Sequence, residues 1–340
     1  MVSLAAERWA KARTFHHSLY PAARIARERE QSVSVCLPAR ECAATVGEIV
    51  GVLAGLRSAG AIDEVVVVDA ASRDGTAQIA RRAGARVLQE SQLMSEIGPA
   101  LGKGDAMWRA LGELSGELVV FLDADSRGFS EHFATGLLGP LVCERDTSFV
   151  KAFYRRPFEQ GGISLPEGGG RVNHLMARPA LSVFYPELAA VRQPLAGEIA
   201  ARRELLERIP FATGYAVEIA MLIDVWREVG LDGIAQVDLD EHRNRHQSLA
   251  ELTKMSETVL AAIVRRVEAE GRLSLGGEGT GVADGDAEAV GSSARPAVSR
   301  GSPGEDEGGA LEEMAERASP AGEIVERPPL ASVMARSDAL

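Results

Sequence analysis

The feature that most constrains this chain is an apolar run that ends in two carboxylates, ELVVFLDADS at residues 117–126. A strand buried on both faces of a parallel sheet reads as such a continuous apolar run, and ligands of open α/β sheets bind just beyond the carboxyl ends of the strands. Asp123 and Asp125 are therefore expected at a binding site. Because like charges this close disfavour joint ionisation, a divalent cation bound to a diphosphate suits the pair. The alternative is that both residues cap a helix that begins near Phe129.

The segments before this run alternate in type. Apolar strands are expected at residues 32–37, 64–69 and 86–88, with helices between them from 45 to 59 and from 76 to 83. Strand and helix in this rhythm predict a right-handed parallel βαβ arrangement, and so an α/β fold with a mainly parallel sheet flanked by helices. Asp69 ends one of these strands and should share an edge of the sheet with Asp123 and Asp125.

Four further features indicate ligands, and each has a plain structural alternative. Lys103 stands between two glycines at the start of a helix, where backbone and ammonium could approach an anion. Arg171 ends a glycine-rich loop and could bind phosphate or carboxylate, unless that loop is only surface. His242 follows a late strand at 234–239 and could ligate a metal as a neutral imidazole. Glu218 lies in the first turn of a helix, where the dipole favours a carboxylate in any case.

Composition limits the class of protein. The formal charge of -12 argues against nucleic acid as a partner. No apolar stretch approaches the ~20 residues that cross a bilayer. Three cysteines without zinc spacing indicate a reduced, cytoplasmic protein.

Residues 271–340 hold thirteen acidic residues, twelve glycines and no aromatic residue, which predicts a disordered acidic tail. Residues 1–30 are expected to form a helical extension, and residues 172–184 and 194–208 to be helical.

Taken together, these stretches resemble the glucosyl-3-phosphoglycerate and mannosyl-3-phosphoglycerate synthases, a family of retaining glycosyltransferases with a GT-A fold. The resemblance covers residues 7 to 270 and rests on motifs that occur in the same order. They are LPA at 37–39, GKG at 102–104, DAD at 123–125, FYRRP at 153–157, GGGRV at 168–172, QPL at 193–195 with GE at 197–198, GY at 214–215 with VEI at 217–219, and HRNR at 242–245.

The resemblance implies roles for individual residues. The donor nucleotide would be held by Pro38, Ala39, Glu41, Asp69, Lys103 and Asp123. Asp125 and His242 would ligate Mg²⁺ or Mn²⁺. The acceptor would contact Gly170, Arg171, Asn173 and Asn244. Asp125 and Glu218 would be the catalytic carboxylates. Residues 31–157 would form the nucleotide-sugar half and residues 158–270 the acceptor half of one GT-A domain, and relatives imply a homodimer.

The implied reaction is transfer of a hexose from a nucleotide sugar to the 2-hydroxyl of 3-phosphoglycerate, for compatible-solute or polysaccharide synthesis. This sequence departs from some relatives at residues 40–42 and at Ala70, where the base and ribose should lie. Both UDP-glucose and GDP-linked mannose or glucose therefore stay open as donors. Two other interpretations remain: an inverting transferase that acts on a polyprenyl phosphate, and an inactive nucleotide-sugar-binding scaffold.

Overall fold

An eight-stranded mixed sheet forms the centre of the computed structural model, which describes residues 3–160, 163–165, 168–243, 247–273 and 324–337. The strands are Thr14–His16 (β1), Val33–Ala39 (β2), Glu64–Asp69 (β3), Arg86–Gln89 (β4), Leu118–Phe121 (β5), Phe149–Arg155 (β6), Phe158–Gln160 (β7), Ile163–Leu165 (β8), Ile199–Arg202 (β9), Phe211–Ala212 (β10), Ile234–Glu241 (β11) and Glu326–Arg327 (β12). The strand order in the large sheet is β1-β11-β6-β9-β5-β2-β3-β4. Only β9 runs antiparallel to its neighbours there.

Helices cover both faces of this sheet. The α-helices are Leu4–Ala12 (α1), Ala22–Glu28 (α2), Val46–Ser58 (α3), Thr76–Ala83 (α4), Lys103–Leu111 (α5), His132–Cys143 (α6), Arg178–Phe184 (α7), Arg203–Arg208 (α8), Val217–Val229 (α9), Leu249–Ala269 (α10) and Leu330–Ser337 (α11). A short π-helix at Asn173–Ala177 precedes α7. Helices α2, α3 and α6 pack on one face, and α1, α5, α9 and α10 on the other. The predicted α/β sandwich with its mainly parallel sheet is confirmed.

The buried strands explain why the sheet forms here. Every residue of β5 is buried, and so are five of the six residues of β3. Alternate side chains along each strand enter the two cores, so that Val33, Val35 and Leu37 point to one face while Cys36 points to the other. Such strands have no solvent face, which is why their sequences show continuous apolar runs rather than alternation.

Three expectations for secondary structure are wrong. Residues 199–202 form β9 rather than part of a helix, because they pair antiparallel with both β5 and β6, which are distant in sequence. The N-terminal extension is not only helical, since residues 14–16 join the sheet edge beside β11. Residues 324–337 are not disordered: Ile324 and Leu330 are buried, and β12 pairs with β10. The rest of the expected tail, from 274 to 323, lies outside the described residues.

No helix among the described residues is long and apolar enough to span a bilayer.

Candidate active site

Loops from several strands meet at one edge of the sheet. Strands β2, β3, β5, β6 and β11 are parallel, so their carboxyl ends share this edge. Because β9 runs the other way, its first residues rather than its last reach the same edge, and Gly197 and Glu198 lie there. The arrangement is the one in which open α/β sheets bind ligands.

Lys103 and two carboxylates form the first cluster. Lys103, at the start of α5, places its Nζ 2.5 Å from Asp123 Oδ1 and 3.1 Å from Glu218 Oε1. Burial alone would lower the pKa of Lys103, but the charges of Asp123 and Glu218 outweigh it and hold that pKa well above its usual value. The structure thus joins Lys103 at the start of α5, Asp123 of the DAD motif and Glu218 of α9 in one ion-paired group.

Gly197 leaves the space that this cluster occupies. A Cβ on Gly197 would lie 2.5 Å from Lys103 Nζ and 2.6 Å from both carboxylate oxygens of Asp123. These separations are well inside van der Waals contact, so any side chain at 197 would displace the ion pair. Glycine is required at position 197 because it has no side chain. Its backbone conformation is not the reason, since its φ lies outside the left-handed region.

His242 forms the centre of a second cluster, just beyond β11. Its imidazole is buried and stacks on Tyr154 with ring centroids 4.6 Å apart. The Nε2 atom lies 2.8 Å from Ser126 Oγ and, at ion-pair distance, 3.0 Å from Glu198 Oε1. Tyr154 donates to Glu198 Oε2 at 2.7 Å, and Arg156 donates to the Tyr154 hydroxyl at 2.7 Å. Although burial opposes its charge, His242 and Arg156 hold the pKa of Glu198 well below its usual range.

Asp125 lies beside this second cluster, near enough for its charge to interact with those of His242 and Glu198. Burial raises the pKa of its carboxyl, the charge of Asp123 raises it further, and His242 acts in the opposite direction. A backbone hydrogen bond of 3.1 Å from Arg127 N to Arg243 O ties the loop after Asp125 to the loop that carries His242. The two residues expected to ligate a metal are therefore neighbours.

One observation tests whether these side chains fit a divalent cation. The Nδ1 atom of His242 is buried and has no hydrogen-bond partner, while Nε2 faces Ser126 and Glu198. A metal-bound histidine commonly gives the proton of its other nitrogen to a carboxylate, which fixes the tautomer. With the proton on Nε2, the lone pair of Nδ1 remains available to a cation. These residues fit Mg²⁺ or Mn²⁺, whose remaining positions phosphate oxygens would fill.

The residues expected to hold the donor base lie on the neighbouring strands. Ala39 pairs with Asp69 across β2 and β3, and Pro38 pairs with Val68. Asp69 is buried, and one of its oxygens accepts from Gln89 at 3.0 Å while the other has no partner. Glu41 is exposed, adopts a φ of 52°, and accepts from Arg73 N at 2.8 Å, which joins the two loops. An unsatisfied buried acceptor at this edge suits a ribose hydroxyl or a base N–H.

The expected acceptor residues follow the glycine loop. Asn173 is buried, and its side-chain oxygen accepts from Leu195 N at 2.9 Å, which leaves its amide N–H groups to donate elsewhere. Gly170 has a φ of +67°, and Arg171 donates to Gln247 O at 3.0 Å. Gly169 N donates to Arg156 O at 3.0 Å, so this loop is joined to the His242 cluster through Arg156. Asn244 lies outside the described residues.

Two buried side chains of the site were not given a role from the sequence. Glu198 belongs to a motif that was recognised, but residues 194–208 were expected to be helical, which hid its position at the strand edge. Lys151 is the one charged residue in the interior of β6; its Nζ donates to Ala196 O at 2.7 Å, and burial lowers its pKa to about 8. A lysine inside an otherwise apolar strand was the signal that could have found it.

A further set of possible metal ligands lies apart from these clusters. Among the described residues, His16, His17 and Asp240 have ligand atoms within 4.8 Å of one another. His17 Nε2 is bound to Asp240 at 2.7 Å, and His16 Nδ1 accepts from Ser18 N at 3.2 Å. The second contact keeps the proton of a neutral His16 on Nε2, which faces Asp240 at 3.4 Å. The set is therefore explained as a hydrogen-bonded triad that joins β1 to β11.

Comparison with known proteins identifies the family. Residues 34–189 match the family model described as glycosyl transferase family 2. The chain is 38% identical to glucosyl-3-phosphoglycerate synthase of Petrotoga mobilis over 272 residues, which cover 78% of this chain and 84% of that protein. The chain belongs to the glucosyl-3-phosphoglycerate and mannosyl-3-phosphoglycerate synthase family. The predicted resemblance and the predicted class, a glycosyltransferase, are confirmed.

Solved structures of the family agree in fold. The crystal structure of mannosyl-3-phosphoglycerate synthase from Rubrobacter xylanophilus superposes with a TM-score of 0.79 and 39% identity, covering 98% of this chain and 99% of that one. The Mycobacterium tuberculosis glucosyl-3-phosphoglycerate synthase in complex with Mn²⁺, UDP and glucosyl-3-phosphoglycerate gives a TM-score of 0.68 and 39% identity, with coverages of 75% and 87%. Another structure of that enzyme contains Mg²⁺ and UDP. The predicted GT-A fold is confirmed, and Mn²⁺ or Mg²⁺ occurs with UDP in structures of the Mycobacterium tuberculosis enzyme.

Proposed function

We propose that this glycosyltransferase moves a hexose from a nucleotide sugar to the 2-hydroxyl of 3-phosphoglycerate, with retention at the anomeric carbon and with Mg²⁺ or Mn²⁺ bound. The observation that carries the proposal is the meeting of the Lys103 cluster, the Asp125 and His242 pair and the glycine loop at one edge of the sheet. The relatives that contain UDP, a divalent cation and a phosphoglycerate product support it.

The donor diphosphate would lie between the two clusters. Asp125 and His242 Nδ1 would hold the cation, which when bound neutralises charge on the departing diphosphate. Lys103 carries a fixed positive charge at the same end of the cleft, and Asp123 and Glu218 keep its ammonium in place. Because these groups are positioned before the reaction, they stabilise the developing charge without reorganising.

The acceptor would lie on the side of the glycine loop. Arg171 would bind a charged group of 3-phosphoglycerate with its planar fork of donors. The backbone of Gly170 and the amide of Asn173 would complete the anion site. Asn173 is well suited to this role because its oxygen is already bound to Leu195 N, so its N–H groups are the ones left for the ligand.

Retention is best explained by attack on the face that the leaving group vacates. The 2-hydroxyl oxygen of the acceptor bonds to the anomeric carbon as the bond to the phosphate oxygen breaks, and the departing phosphate takes the hydroxyl proton. Glu218 would orient the sugar or the acceptor. A role for it as a covalent nucleophile is disfavoured, because Lys103 binds its carboxylate at 3.1 Å and so reduces its nucleophilicity.

One assay tests the function and the donor. The protein is incubated with 3-phosphoglycerate, Mg²⁺ and, in turn, UDP-glucose, GDP-glucose and GDP-mannose, and the product is analysed by NMR. We expect a hexosyl-3-phosphoglycerate with the anomeric configuration of the donor. An inverted product would contradict retention. Transfer only to an added polyprenyl phosphate would favour the alternative acceptor, and nucleotide binding without turnover would favour a scaffold. The homodimer and the cytoplasmic location stay predictions.

A further inference from the structure

The C-terminal segment, residues 324–337, packs against the elements that carry the Lys103 cluster. Strand β12 pairs antiparallel with β10, with Arg327 opposite Phe211 and Glu326 opposite Ala212. Thr213 donates to Val325 O through its backbone N at 2.9 Å and its Oγ1 at 3.0 Å. Strand β10 leads directly into the turn at 214–216 and then into α9, whose first turn carries Glu218.

Arg327 extends from this segment to the other side of the same cluster. Its Nε and Nη2 donate to the two oxygens of Asp105 at 2.8 and 2.9 Å, a bidentate pair. The Asp105 side chain is fully buried, and the Arg327 side chain is 10% exposed. Asp105 also accepts from Leu101 N at 2.8 Å, and Arg327 Nη2 donates to Pro99 O at 3.2 Å. Arg327 therefore contacts both the loop that leads into α5 and Asp105, whose carboxylate also lies 3.1 Å from Arg109 Nε in the same helix.

Asp105 follows Lys103 by two residues in the first turn of α5. The turn has no freedom to shift toward β10, since a Cβ on Gly104 would lie 2.0 Å from Ala212 O. On the other side, Gly102 approaches Gly214, whose Cα would lie 3.5 Å from an added Cβ. The start of α5 is thus pressed against β10, and Arg327, from the strand paired with β10, holds it there.

We propose that Arg327 is a positioning residue that sets the place of Lys103 through Asp105, so that the C-terminal segment controls the donor-phosphate end of the cleft. The inference deepens the proposed function and rests on it, because it takes Lys103 to bind the donor. The proposal gives a role to residues 324–337, which lie within an acidic, glycine-rich region that the sequence predicts to be disordered.

The experiment compares two neighbouring ion pairs of this segment. Arg327→Met removes the contacts to Asp105 and keeps the length of the side chain. Glu326→Gln removes the 2.9 Å ion pair with Arg266, which lies on the α10 side and does not touch α5. We expect Arg327→Met to raise the KM for the nucleotide sugar by about tenfold or more while the KM for 3-phosphoglycerate stays unchanged. Glu326→Gln should leave both KM values within about twofold of wild type.

A double-mutant cycle with Lys103→Met separates positioning from general destabilisation. If Arg327 acts through Lys103, its substitution should have little further effect on the donor KM once Lys103 is gone. An undiminished effect in that background, equal losses in both segment variants, or a wild-type donor KM in Arg327→Met would overturn the proposal. Arg327→Lys keeps the charge without the bidentate fork and should give an intermediate donor KM. A wild-type donor KM in Arg327→Lys would also overturn the proposal. This variant supplies the test if Arg327→Met does not fold.

Failure of the proposed function would give a different result from failure of the positioning role. In that case the wild-type protein itself would transfer no hexose to 3-phosphoglycerate. The same variants would then be compared by calorimetric titration with UDP and with GDP in the presence of Mn²⁺. Weaker nucleotide binding in Arg327→Met than in Glu326→Gln would support the positioning role without the transfer reaction, and equal binding would contradict it.

Discussion

At the scale of single residues, the proposed metal role of His242 depends on neighbouring side chains that are not themselves expected ligands. Glu198 and Ser126 face Nε2, Tyr154 stacks on the ring, and Arg156 binds the Tyr154 hydroxyl. This set orients one imidazole and decides which of its nitrogens carries the proton. Buried charges of this kind are retained only when they are paired, and here every member has a partner in the set.

Replacement of Glu198 should therefore weaken the metal site without removing a ligand. Glu198→Gln keeps the size of the side chain but removes the charge that favours a proton on Nε2. We expect Mn²⁺ affinity to fall by about 10- to 100-fold. Titration calorimetry with Mn²⁺ and a nucleoside diphosphate would measure the change, with Glu131→Gln on the surface as the matched control. Unchanged affinity in Glu198→Gln would show that the carboxylate does not orient His242.

At the scale of elements, the early part of the fold followed from the sequence and the later part did not. Strands β2, β3 and β5 are apolar runs buried on both faces, so their positions and the shared edge of Asp69, Asp123 and Asp125 could be predicted. Strand β9 consists of four residues, and its small alanines suit a helix as well as a central strand. Only its pairing with β5 and β6, which are distant in sequence, decides between them.

The site could be predicted to a similar extent. Motifs with local signals, such as the DAD pair and the glycines around Lys103, predicted residues that the structure places together at one edge of the sheet. Glu198 could not be placed, because its position depends on the direction of β9. The same holds for the contact of Arg327 with Asp105, which joins residues 222 apart in sequence and leaves no local pattern.

Gly197, which precedes β9, gives a test at this scale. Gly197→Ala would place a methyl group 2.5 Å from Lys103 Nζ and 2.6 Å from the Asp123 oxygens, so this ion pair must move from its present position. We expect kcat/KM to fall by about 100-fold while the circular dichroism spectrum is unchanged. The matched control is Gly51→Ala in α3, where a Cβ meets nothing within 4 Å and helix propensity favours alanine. Activity in Gly197→Ala equal to that in Gly51→Ala would contradict the arrangement described.

At the scale of the whole molecule, the described residues enclose two hydrophobic cores, and several charged groups buried there have ion-pair or hydrogen-bond partners. Arg109 donates to Met94 O at 2.9 Å and Gly98 O at 2.8 Å, and Arg266 is paired with Asp224. Glu90 is an exception. It is buried, one of its oxygens has no hydrogen-bond partner, and burial together with the charge of Asp105 raises its pKa to about 7.

Glu90 should make stability depend on pH. The pKa of Glu90 is about 7 in the folded protein against an ordinary value of 4.5, so the folded state binds the proton more tightly. Stability from this group is full below pH 4.5 and is lost as the pH rises toward 7, by up to about 3 kcal/mol. Glu90→Gln should therefore raise the melting temperature more at pH 8 than at pH 4.5, as measured by differential scanning fluorimetry against wild type. An equal effect at both pH values would show that Glu90 is not protonated in the folded state.

Asp125 and His242 are proposed to hold a divalent cation beside the nucleotide diphosphate. Pulsed electron paramagnetic resonance of Mn²⁺ bound with UDP or GDP tests this metal site, because a directly bound imidazole gives a nitrogen-14 modulation. We predict that modulation in the wild-type protein, its loss in His242→Gln, and weaker Mn²⁺ binding in Asp125→Asn. The absence of nitrogen modulation in the wild-type complex, or its persistence in His242→Gln, would contradict the claim.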